Sequence, residues 1–394
     1  MDHIFNNTAV AFAHKTTKEL RRARILFLLL SKMYVVRIGL SLLQWSKRLR
    51  IQGFWFIERI IYRHFCAGAN LMQTSAVVRQ LEKFGMNAYL NYAVEDVKRE
   101  IEFDANCDKV IELLRFSKDK DNLPFGVFKP TSFGNSAIYE KISHSDTLTF
   151  EEDQAWRRIK ARFKRCCRVA KEEGLAVLID AEESWLQDAV DALVIELMEA
   201  FNTDRTVVFN TVQFYLKSSF ARLQEMYHTA QHKNFHLGLK LVRGAYMEKE
   251  RLRAKSLDVE SPICATKKDT DDNFNKAVLF CLDNLNNMSL VLGTHNEFST
   301  YKAMDAMKAQ KIQANDKRVW FSQLYGMSDH ISFNLAAKGY NVVKFLPFGP
   351  MDHVMPYLVR RAEENSSISG QTNREIQLLD WEIKRRKSKL NGTQ

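Results

Sequence analysis

Apolar residues fall along this chain in two patterns. Over the first eighty residues they recur at three- and four-residue spacings with charges between them, as amphipathic helices require. Beyond that point short unbroken apolar runs appear, at 87–92, 126–129, 176–180, 206–210, 237–242, 290–294, 319–323 and 341–345. Runs of this kind, without polar alternation, suit parallel strands buried on both faces. Helical stretches at 151–173, 186–201, 215–233 and 271–287 separate several of them. About eight β–α repeats predict an α/β chain, a (β/α)8 barrel of the TIM type with an N-terminal helical arm. The arm is expected over residues 1–80 and the barrel over 81–394, and an open doubly wound sheet is the competing arrangement.

Composition supports long regular elements. Gly and Pro number 15 and 6 in 394 residues, well below the usual share of about 7% and 5%. That scarcity excludes collagen-like chains, Pro-rich linkers and many-turned all-β folds. With 46% apolar and 27% charged residues, disorder is excluded too. The net charge of +11 admits nucleic acid, an anionic membrane surface or an anionic ligand, beside a plain solvated exterior. No basic run is interleaved with aromatics, so nucleic acid is not expected. The densest basic stretches, 384–389 and 18–24, flank amphipathic helices and suit a membrane surface better. Residues 25–43 have the length of a membrane span, but Lys32 and Arg37 lie inside, each costing about 2.5–3.5 kcal/mol at mid-bilayer. A buried or half-buried helix is the expectation there. The six cysteines form no CxxC and read as reduced core thiols. The first residues show no secretory pattern, so the expected location is cytoplasmic, with peripheral contact at the inner face of a membrane.

A barrel carries its chemistry at the C-terminal ends of its strands. Here those positions hold Lys129, Asp180, Gln213, Arg243, Thr294, His295 and Gln323, a more polar set than arbitrary strand ends supply. Taken singly each has a plainer reading; Lys129 could be a solvated loop lysine and His295 a satisfied loop histidine. Further on, Pro356 opens a helix whose Tyr357, Arg360, Arg361 and Glu364 share one face. One reading is a surface face with an Arg360–Glu364 pair worth about 0.3–0.5 kcal/mol. The functional reading is a clamp, in which two guanidinium forks grip a carboxylate and Glu364 holds them in place.

Longer motifs point the same way. KLVRGAYMEKER (240–251), GTHN (293–296), QLYGM (323–327) and YLVRRAEEN (357–365) resemble the proline dehydrogenase family, supported by LIDAEE (178–183) and NTVQFYLK (210–217). The resemblance runs in order along nearly the whole chain. AFAHK (11–15) and QFYLK (213–217) suggest the single-function form, and 394 residues leave no room for a fused aldehyde dehydrogenase. The resemblance implies a distorted barrel that binds FAD, oxidises L-proline to 1-pyrroline-5-carboxylate and passes electrons to a membrane quinone, the first step of proline catabolism to glutamate. No G-x-G-x-x-G is present, so a Rossmann-type flavin site is not expected.

Residue roles follow from the same resemblance. Lys129, Arg360 and Arg361 fall to the proline carboxylate, Glu364 orients the arginines, and Phe345 and Tyr357 wall the ring. Asp180 sits beside the substrate and, with Lys240 and Arg243, makes up the catalytic set. Gln213 takes the pyrimidine edge of the flavin; Ile179, Lys240, Arg243, Gly244, Ala245, Thr294, His295 and Gln323 complete the cofactor contacts, and no metal is implied. Two positions depart from the family. Lys240 and Arg243 stand where many bacterial members have Arg then Lys, which leaves open which side chain reaches flavin N5. Phe345 replaces a frequent tyrosine, keeping bulk and losing a hydroxyl, so proline is expected to be preferred over 4-hydroxyproline. The bare residues also fit a Schiff-base aldolase with Lys129 as nucleophile, or a basic protein that only binds a membrane surface.

Overall fold

A computed structural model describes residues 3–31, 55–93, 99–355, 357–358 and 371–391. Its strands are β1 (Asn87–Tyr92), β2 (Phe125–Phe128), β3 (Ala176–Ile179), β4 (Val208–Gln213), β5 (Leu237–Val242), β6 (Met288–Gly293), β7 (Val319–Leu324) and β8 (Val342–Phe348). Each pairs in parallel with the next, and β8 returns to β1 with Tyr89 opposite Phe345. The sheet is therefore a closed barrel, and the open doubly wound alternative is excluded.

The unbroken apolar runs have their cause in two packing layers. Phe125, Leu178, Phe209, Val291 and Val343 point to the barrel axis, with Tyr89 and Phe345 above them. Val177, Ile179, Val208, Leu239 and Leu290 point outward, under the helices. Strands β3, β4 and β6 are thus apolar on both faces over these residues.

Several expected ends move for local reasons. Strand β2 stops at Phe128, so Lys129 belongs to the turn that follows. The helix expected from 215 begins at Ser219, because Asn273 Nδ2 holds the carbonyls of Phe214 and Leu216 in a turn, at 3.0 and 3.1 Å. The helix expected from 271 begins at Lys267, where Thr266 and Asp269 form a capping box, and ends at Asp283.

The N-terminal residues are strapped to the barrel. Thr16 and Glu19 cap the helix Thr17–Leu30, which buries Leu20, Ala23, Leu26, Phe27 and Leu30 and leaves Ile25 and Leu29 exposed. That helix packs against Gln371–Asn391, with Arg24 Nε 2.5 Å from Asp380 Oδ1. Arg386 donates to the carbonyls of Phe12 and Lys15, at 2.9 and 2.7 Å. Of the stretch 25–43, residues 32–43 lie outside the described residues. Among the described residues, no helix is long and apolar enough to cross a membrane. All six cysteines are buried free thiols.

Candidate active site

A cavity of about 470 Å³ opens at the C-terminal mouth of the barrel. Its floor is set by β5. The alternation that sends Leu239 and Leu241 outward sends Lys240 inward, where its Nζ donates to Asp180 Oδ1 at 2.7 Å. Burial works against the ammonium, but the Asp180 carboxylate outweighs it and holds the lysine charged, its pKa raised. The Nζ also lies 5.7 and 5.9 Å from the ring centres of Tyr89 and Phe345.

Arg243, just past the end of β5, is tied down differently. Its guanidinium donates to Asp271 Oδ1 (2.6 Å), Thr294 Oγ1 (2.9 Å) and Ser299 Oγ (2.8 Å), and its carbon lies 4.5 Å from the Phe274 ring centre. Burial lowers its pKa, with Asp271 opposing. Gly244 then turns the chain at φ +134°, where a Cβ would lie 1.6 Å from the Tyr215 ring. The turn lets the Ala245 N–H donate to Gln213 Oε1 at 3.2 Å, while Gln213 Nε2 donates to the Glu182 carbonyl at 2.8 Å. Gln323 is oriented the same way, donating to the Thr294 carbonyl (3.1 Å) and accepting from Ser332 (2.9 Å). Each amide keeps one hydrogen and one lone pair for a ligand. His295 Nδ1 meets Ser328 Oγ at 2.9 Å.

At the other end of the cavity, Lys129 Nζ lies 5.9 Å from the Tyr357 ring centre, and Tyr357 and Phe345 are 6.2 Å apart at a 31° tilt. Lys129, Asp180, Gln213, Lys240, Arg243, Gly244, Ala245, Thr294, His295, Gln323, Phe345 and Tyr357 all line the one cavity. Ile179 does not. It is fully buried in the layer between barrel and helices, since it points the opposite way from its neighbour Asp180 along the strand. Arg360, Arg361 and Glu364 lie outside the described residues.

The structure adds residues that motif reading passed over. Tyr89 and Ser322 join hydroxyls at 3.0 Å on the cavity floor. Glu182 accepts from Thr131 N and Oγ1 (3.0 and 2.7 Å) and from Tyr246 (2.9 Å), knitting three mouth loops together. Burial raises its pKa, with Lys129 pulling it down. At the far wall, Arg374 Nε donates to Glu297 at 2.7 Å and His330 Nε2 lies 3.1 Å from the same carboxylate. Burial alone would raise the pKa of Glu297, but the neighbouring His330 and the Arg374 guanidinium bring it down to about 2. Glu182 belongs to LIDAEE; the others had no local signal, since the fold alone makes them neighbours.

A closed parallel barrel with cations, amides and aromatic rings around a cavity at its C-terminal mouth has the form of a barrel enzyme. The chain belongs to the proline dehydrogenase family, whose sequence model matches residues 74–374, and this makes it an oxidoreductase of proline catabolism. It is 38% identical over 322 residues to the carbapenem antibiotics biosynthesis protein CarD of Pectobacterium carotovorum, covering 82% of this chain and 83% of that one. It is 32% identical over 375 residues to proline dehydrogenase 2 of Arabidopsis thaliana, a mitochondrial protein, covering 84% and 78%. Proline utilization A from Bdellovibrio bacteriovorus, solved after inactivation by N-propargylglycine, shares the fold with a TM-score of 0.70 at 20% identity. That match takes in 94% of this chain but 39% of the larger protein.

Proposed function

We propose that the protein oxidises L-proline to 1-pyrroline-5-carboxylate, with FAD as hydride acceptor and a membrane quinone as electron sink. The observation that carries this reading is the buried Lys240–Asp180 pair facing a cavity walled by Phe345 and Tyr357 at one end and by Arg243, Thr294 and His295 at the other. The residues present suit a flavin. Two oriented glutamine amides on the cavity keep spare bonding capacity, and the buried Thr211 Oγ1 on its floor has no partner among the described residues. Gln213, Arg243, Thr294, His295 and Gln323 would hold it, with the backbone of Gly244 and Ala245 beside them. When bound, the flavin supplies the hydride-accepting centre.

The chain's own residues supply placement. Lys129, with Arg360 and Arg361 oriented by Glu364, binds the substrate carboxylate. Phe345 and Tyr357 close over the ring and exclude water. Asp180 fixes Lys240, whose retained positive charge faces the reacting end of the cavity. Arg243 has committed three donors to Asp271, Thr294 and Ser299, so Lys240 is the cation assigned to the flavin N5 side. Holding reactants at contact distance lowers a barrier without a protein acid or base. The electron acceptor arrives by way of a membrane in this reading. The helix Thr17–Leu30, with Lys18, Arg21 and Arg22 beside exposed Ile25 and Leu29, is the surface that meets the bilayer on its cytoplasmic side.

A proline-dependent assay with a soluble quinone analogue, trapping the cyclic imine product, tests the reading. Turnover of L-proline exceeding that of 4-hydroxyproline is expected, because Phe345 offers no hydroxyl. No product with either amino acid, or substrate trapped on Lys129 by borohydride, would assign the barrel to another chemistry.

A further inference from the structure

We infer that Tyr89, braced by Ser322, is a positioning residue that holds the Lys240 ammonium at the cavity face opposite Asp180. The inference rests on the proposed flavin reading and extends it to residues that no motif contains. Four side chains build the device, and each comes from an odd-numbered strand: Tyr89 from β1, Asp180 from the end of β3, Lys240 from β5 and Ser322 from β7. Alternate strands of a parallel barrel contribute to one interior tier, so these four meet across the axis although none of their strands are neighbours. The tier reads as one polar row. Lys240 Nζ donates to Asp180 at 2.7 Å, the Tyr89 ring centre lies 5.7 Å from the same Nζ, and the Tyr89 and Ser322 hydroxyls are 3.0 Å apart.

A lysine has a four-carbon stem with free rotation, and a single carboxylate on one side fixes a distance but not a direction. Tyr89 supplies the second side. Its ring lies beside the ammonium, and its hydroxyl, bonded to Ser322, fixes the ring there. Packing alone does not require that hydroxyl. The ring is 1% exposed and sits edge-on to Phe125 and Phe345, at centroid distances of 6.3 and 5.2 Å, a place phenylalanine would fill. A hydroxyl buried there is costly unless bonded, and Ser322 bonds it. Ser322 is itself held, since its carbonyl accepts from the Thr294 N–H at 3.2 Å. The brace thus joins the cation on the floor to the strand end that carries Thr294 and His295.

The test compares the flavin-loaded wild type with Tyr89→Phe and Ser322→Ala. Sulfite, an anion, binds oxidised flavins more tightly when a fixed positive charge stands beside them, and its binding is followed as loss of the visible absorbance. In Tyr89→Phe and in Ser322→Ala the sulfite Kd is expected to rise severalfold, because each removes the hydroxyl pair that fixes the ring beside the ammonium. The KM for L-proline should stay within about twofold while kcat falls, because the carboxylate contacts are untouched. The melting temperature of Tyr89→Phe should match the wild type, since the ring remains, and that of Ser322→Ala should fall by a few degrees, since the buried Tyr89 hydroxyl loses its partner. Ser322→Ala leaves the aromatic packing alone and decides the matter if Tyr89→Phe folds poorly. Sulfite affinity and kcat within about twofold of wild type in both variants overturn the brace while leaving the flavin reading intact. A purified wild type without colour overturns the flavin reading, and the brace with it.

Discussion

Two barrel strands each bury a lysine against an aspartate, and the two pairs have opposite characters. Lys240 of β5 points into the barrel and meets Asp180 at 2.7 Å, beneath the cavity. Lys344 of β8 points outward and meets Asp329 at 3.1 Å, sealed under the arm, where it also donates to the Met327 carbonyl at 2.7 Å. Lys15 and His14 of the N-terminal strap converge on the same Asp329. Burial lowers the pKa of Lys344 although Asp329 resists, whereas at Lys240 the aspartate prevails and the pKa is raised. At Asp329, burial is overcome by Lys15 and Lys344, and the carboxyl stays well below its usual range. The lesson is one of allocation. The outer pair spends its bonds on closing the fold, while the inner pair keeps a charged face toward the space where a ligand would sit.

The sharpest way to break the comparison is Asp329→Asn. Removing one member of a sealed ionic cluster leaves Lys344 and Lys15 uncompensated and should cost about 3–5 kcal/mol of stability, read by chemical denaturation, with kcat per folded molecule kept. Asp180→Ala should do the reverse. Its turnover should fall roughly tenfold to a hundredfold, flavin should stay bound, and the denaturation midpoint should move little, because the cavity side of Lys240 can take water. Equal losses of stability in the two variants would erase the distinction. Arg360→Met and Arg361→Met should each raise the KM for proline by an amount equivalent to about 1.5–3 kcal/mol; unchanged KM in both would remove the clamp.

The smallest effect concerns Glu297, on the far wall. Its pKa falls from an ordinary 4.5 to about 2, so its contribution to stability is complete above about pH 4.5 and fades as pH drops toward 2. Glu297→Gln should therefore lower stability by about 1 kcal/mol at neutral pH and flatten the acid limb of a stability–pH curve. An unaltered acid limb would show that Arg374 and His330 do not depend on this carboxylate.

Much of the fold was legible in the chain because strands buried on both faces are apolar without interruption, a local property. The strand-end polar residues were legible for the same reason: they mark where such runs stop. Ile179 shows the limit of that reading, since a motif carries both faces of a strand and only one of them reaches the cavity. Tyr89, Ser322, Glu297 and Arg374 lay beyond it altogether. Tyr89 and Ser322 are 233 residues apart and Glu297 and Arg374 are 77 apart, and Tyr89 in particular looks like any aromatic in an apolar run until the barrel closes. Lys344 illustrates the opposite hazard, a strand lysine as prominent in sequence as Lys240 whose direction only the fold reveals.

The visible spectrum of the purified protein, recorded before and after L-proline and again after a soluble quinone analogue, tests the central claim most directly. A yellow protein whose bands bleach with proline and return with the quinone is the predicted result. A colourless protein, or a colour that proline leaves unchanged, would contradict the account.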